Sequence, residues 1–87
     1  MSITPATARA GDDVTIQGVG FSLVAAENII LIDGSSVVAI SYNLTGDDDS
    51  PESIVFTLPA SLPAGDFTIQ VMVAENVSNE IHITLNP

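Results

Sequence analysis

Residues 67–74 read Phe67-Thr68-Ile69-Gln70-Val71-Met72-Val73-Ala74, and this stretch decides the fold. Phe67, Ile69, Val71 and Val73 stand at every second position, alternating with Thr68, Gln70, Met72 and Ala74. Successive side chains of a β-strand point to opposite faces, so the spacing describes a strand with one face turned to a dry core.

The same rhythm continues outward in both directions. Downstream, Ile81, Ile83 and Leu85 alternate with His82 and Thr84. Upstream, Ile54, Phe56 and Leu58 alternate with Val55 and Thr57, and Val14 and Ile16 with Thr15 and Gln17. Two further runs, Ile29 to Ile32 and Val37 to Ile40, are apolar throughout but short and rich in β-branched residues, which favours strand over helix. Asp33-Gly34 between them is a hairpin signal. Ile3-Thr4 before Pro5 suits a short edge strand. Asn76 to Asn79 is expected to turn the last hairpin, and Val24 to Glu27 can form a single helical turn. About seven short strands separated by turns predict an all-β, immunoglobulin-like sandwich in two sheets. One domain spans 1–87. The expected core is Val14, Ile16, Phe21, Ile30, Ile32, Val38, Ile40, Ile54, Phe56, Leu58, Phe67, Ile69, Val71, Ile81, Ile83 and Leu85.

Composition excludes several functions. Eleven acidic residues face one basic residue, Arg9, and lysine is absent. Phosphate recognition depends on Lys and Arg, so nucleic-acid binding is not expected, and an anionic membrane surface would repel the chain. No apolar run reaches the ~18–20 residues of a membrane helix, so membrane insertion is not expected. The chain has no cysteine for a disulfide, a thiolate nucleophile or a zinc site. The start, Met1-Ser2-Ile3-Thr4-Pro5, lacks the basic and apolar regions of a signal peptide. That suits either a module of a longer exported protein or a small free-standing one.

Three chemical options remain. His82 is the single histidine and falls on the outward face of its strand, with no serine and acid placed to form a triad, so no enzyme is expected. Asp47, Asp48, Asp49 and Glu52 put four carboxylates into six residues, the kind of oxygen-rich loop calcium accepts, although without the spacing of an EF-hand. Otherwise no cofactor is implied. Carbohydrate binding is disfavoured, because sugars stack on exposed aromatic rings and the chain has no Trp and one Tyr. The outward positions of some strands are also unexpectedly apolar: Ile29 and Leu31, Val37 and Ala39, Met72 and Ala74. If those strands lie side by side, Ile29, Leu31 and Met72 form a protein-contact face.

The order of residues resembles a known family. Ile3-Thr4-Pro5, then Gly11-Asp12-Asp13-Val14-Thr15-Ile16-Gln17-Gly18-Val19-Gly20-Phe21, then Leu58-Pro59-Ala60, Leu62-Pro63-Ala64-Gly65-Asp66-Phe67-Thr68-Ile69 and finally Ser78-Asn79 follow one another as in the IPT/TIG domain. That is an immunoglobulin-like module of bacterial surface proteins, plexin-type receptors and some transcription factors. The resemblance implies a fold and a modular habit, not a reaction. Its DNA-contacting members use basic loops, which a chain whose only cationic side chain is Arg9 cannot supply. The resulting expectation is a non-catalytic structural or protein-interaction module of a bacterial cell-surface or secreted protein, in contact with protein partners or neighbouring domains. A bacteriophage capsid or tail decoration protein of the virion is the alternative, and a calcium-dependent adhesion module a third.

Overall fold

The computed structural model describes residues 2–32, 35–45, 48, 51–78 and 80–87. The alternating stretches all form strands: β1 (Ser2–Thr4), β2 (Thr7–Arg9), β3 (Asp13–Gly18), β4 (Ile29–Ile32), β5 (Ser35–Val38), β6 (Ser41–Leu44), β7 (Glu52–Thr57), β8 (Gly65–Val73), β9 (Asn76–Val77) and β10 (Ile81–Asn86). A single 3-10 turn, Ala25–Glu27, occupies the segment read as helical. One sheet has the order β1-β3-β7-β6. The other is six-stranded, in the order β2-β10-β8-β4-β5, with β9 also pairing β8. Every pairing is antiparallel except β2 with β10. The architecture is an immunoglobulin-like β-sandwich.

These ten segments reduce to the expected seven strands, because three strands are each divided in two. Residues 2–9 begin in the four-stranded sheet as β1, turn at the cis Thr4–Pro5 bond and join the six-stranded sheet as β2. Residues 35–44 make the opposite switch. The Ala39 N–H donates to the Asn28 carbonyl at 3.0 Å, continuing the β4 pairing, and the Ile40 N–H donates to the Val55 carbonyl at 2.7 Å, in the other sheet. A shared strand therefore closes each side of the sandwich and leaves only short edges, which limits pairing with other chains. β9 and β10 are successive parts of a third strand.

The core sits between the sheets. Val14, Ile16, Ile54 and Phe56 project from one, and Ile30, Ile32, Ile69, Val71, Ile83 and Leu85 from the other. Each such side chain contributes about 1.5–3 kcal/mol when fully buried. Phe67 and Leu58 are buried as expected, and Phe21 and Ile81 are half-buried and packed against the cluster.

Two sequence readings are corrected. Val38 and Ile40, assigned to the core, are 51% and 60% exposed, and Ala39 is 2% exposed. Val37 and Ala39, read as outward, face inward. The cause is hairpin parity. Ile32 pairs with Ser35 and Ile30 with Val37, and directly paired residues share a face. A two-residue connection thus turns the odd-numbered residues of β5 inward, given that β4 buries its even-numbered ones. The connection itself, Asp33-Gly34, lies outside the described residues. The last hairpin also turns earlier than read, at Ala74-Glu75, with Val73 opposite Asn76. Both turn residues have positive φ, 49° and 73°. A two-residue turn of this type needs that conformation, which neither alanine nor glutamate advertises.

Candidate contact face

The two outer faces differ. On the four-stranded sheet the outward positions carry Thr15, Gln17, Ser41, Asn43, Ser53 and Thr57, with Val55 the apolar exception. On the six-stranded sheet one row is wholly apolar. Val38 pairs with Ile29, Ile29 with Met72, and Met72 with Val77, so four side chains cross β5, β4, β8 and β9 in line. Val38 and Val77 are about half exposed, at 51% and 49%. Ile29 and Met72, flanked on both sides, are partly covered. Leu31 stands in the next row, between Ser36 and Gln70. The expected set Ile29, Leu31 and Met72 is therefore gathered on adjacent strands. Val38 and Val77 join it, and Val37, Ala39 and Ala74 drop out.

Farther along the same face the surface becomes polar. His82 lies opposite Thr68, Thr84 opposite Asp66, and Arg9 opposite Asn86. His82 is exposed.

A cavity of about 190 Å³ opens at the β9 end of the row, on the inward side of β8, lined by Val19, Gly20, Phe21, Val71, Val73, Asn76, Val77 and Ser78. Two polar side chains hold the loop that forms its wall. Glu52 accepts from the Gly20 N–H at 2.7 Å and the Phe21 N–H at 3.2 Å through Oε1, and from the Tyr42 hydroxyl through Oε2. The Tyr42 hydrogen bond is the main reason the Glu52 carboxyl titrates below its ordinary value. Burial opposes it, and the Phe21 and Gly20 amides reinforce it. The same contact raises Tyr42. Gly20 has φ +88°, which favours glycine at the point where the chain leaves β3. Gly18 stays in the strand, opposite Glu52.

Asn28 is completely buried. Its Oδ1 accepts from the Ser22 N–H at 2.8 Å, and its Nδ2 donates to the Ser22 and Ala25 carbonyls at 3.0 and 3.3 Å. One side chain thus supplies the hydrogen bonds that a compact loop of residues 22–28 cannot make for itself. Sequence reading missed Asn28, since an asparagine ahead of an apolar run reads as ordinary turn punctuation.

The sequence that builds this topology matches a family model described as IPT/TIG domain, over residues 1–85. The chain belongs to the IPT/TIG family. No curated protein matches it. The IPT/TIG domain is a non-catalytic, immunoglobulin-like module for protein interaction.

Of the carboxylates read as calcium ligands in this IPT/TIG domain, Asp47 and Asp49 lie outside the described residues and Asp48 is exposed. Glu52 points to the loop donors just described. Among the described residues no three acidic or histidine side chains converge as a metal site. Among the described residues, too, no helix is long and apolar enough to cross a membrane.

Proposed function

We propose that this IPT/TIG domain is a protein-contact module of a bacterial cell-surface or secreted protein, and that the outer face of its six-stranded sheet makes the contact. The observation that carries the reading is the Val38–Ile29–Met72–Val77 row, which crosses four strands with no polar residue. An aligned apolar strip on one face, opposite a face lined with hydroxyls and amides, marks an interface more than scattered exposed residues do. Membership of the IPT/TIG family, whose modules occur in bacterial surface proteins among others, supports the location.

Two measurements test it. The encoding gene should specify a longer product with further domains and an export signal. A short gene set among capsid genes transfers the same contact face to a virion decoration protein. Hydroxyl-radical footprinting should label Met72 in the isolated domain and leave it protected in the intact assembly. Equal labelling in the two states would remove the face from the contact.

A further inference from the structure

We infer that the partner on this face is a cationic protein surface that seats one apolar side chain in the cavity beside Val77. This rests on the contact-module reading and adds the chemistry of the occupant.

Size gives the first argument. The cavity holds about 190 Å³. Small-molecule and cofactor sites begin at roughly 300 Å³. A cavity of roughly 150 Å³ already accepts a benzene ring. The space therefore suits one Leu, Met or Phe side chain and is too small for a cofactor. Val19, Phe21, Val71 and Val73 make its apolar lining. Val77 borders both the cavity and the row, but Val71 and Val73 face inward where Met72 faces outward, so the cavity lies beneath the β9 edge and a partner along the row inserts its residue around that edge.

Charge gives the second. Glu75, in the turn between β8 and β9, and Glu80, between β9 and β10, are both exposed and stand close in sequence to Val77. Arg9 lies at the other end, opposite Asn86. An apolar strip with an anionic margin is complementary to an apolar centre rimmed by Lys or Arg. A second copy would bring another formal charge of −10 against it. Like charges set face to face oppose such pairing, so a partner of opposite charge is the better fit.

Three synthetic peptides of equal length test the inference. The first carries a leucine centre flanked by lysines. The second replaces the lysines by glutamates, and the third replaces the leucines by serines. Methyl NMR follows Ile29, Val38, Met72 and Val77. The lysine–leucine peptide should shift these signals saturably, with affinity falling as salt rises. The other two should leave them in place. Glu75→Gln and Glu80→Gln should each weaken binding roughly threefold. Val77→Asp and Met72→Asp should each weaken it by more than about tenfold. Equal binding of the glutamate peptide, or shifts confined to signals around His82, would overturn the inference. So would a dimer in sedimentation equilibrium that Met72→Asp dissociates. If no peptide binds while Met72 is protected in the intact assembly, the contact face stands and the cationic occupant falls.

Discussion

Glu52 shows how much one residue's surroundings decide. In sequence it closes an acidic run; in the fold it caps two backbone amides and accepts a tyrosine hydroxyl. Its carboxyl titrates below the ordinary 4.5 in the folded state, chiefly because of Tyr42. A depressed folded value means that the ionised form is the stabilising one. The contribution is complete above about 4.5 and is lost as pH falls through the folded value. Tyr42→Phe removes the largest cause, so Glu52 should titrate closer to 4.5 and the acid window of lost stability should narrow. A carboxyl-carbon NMR titration reads the midpoint directly, and an unmoved midpoint would exclude Tyr42 as the cause. Tyr42→Phe should also lower stability at neutral pH, because it removes one hydrogen bond.

At the scale of elements, the β4–β5 hairpin carries the lesson. Val37 to Ile40 is uniformly apolar, so composition does not say which residues face inward. The Ile32–Ser35 pairing settles it. Ala39→Asp should therefore destabilise by more than about 3 kcal/mol, since it buries an unpaired charge. Ile40→Asp should stay within about 0.5 kcal/mol, as for an exposed substitution. Chemical denaturation of the two variants checks this, and equal losses would contradict the register. The β8–β9 turn makes a related point. Ala74 and Glu75 occupy positive-φ positions that Asn and Gly usually fill, at a cost of order 1 kcal/mol each, so no turn signal stands in the sequence. The turn is set by the pairing of Met72 with Val77.

The whole molecule is polarised. The row, the cavity and the exposed Val19 and Leu23 lie towards one end, where β3 leaves its sheet and β8 turns. At the other end Asp13 accepts from the Thr57 hydroxyl at 2.6 Å, and Asp12 accepts from the Arg9 N–H at 3.0 Å. Eleven acids against one arginine leave general self-repulsion that salt screens. Relief of about 1 kcal/mol raises Tm by about 4–8 °C in a domain of this size. Sodium chloride and calcium chloride at matched ionic strength should raise Tm equally, because a calcium site using Glu52 would have to displace three donors from its oxygens. A surplus specific to calcium would instead mark Asp47, Asp48 and Asp49 as a binding loop, since a ligand of the folded state must stabilise it.

The sequence by itself determined the sandwich and most of its core, and its charge count argues against nucleic-acid partners. A two-residue rhythm and a count of charges are local properties that need no knowledge of neighbours. It also marked Ile29, Leu31 and Met72 as apolar where a wet sheet calls for polar residues. Only the tertiary structure decided which strands lie side by side, and hence that Val38 and Val77 complete the row. It alone showed Glu52 reaching back across the sequence to Gly20 and Phe21, and Asn28 buried beneath its loop. Strand adjacency, hairpin parity and long-range capping depend on chain closure, and closure brings together residues that no stretch of sequence holds side by side.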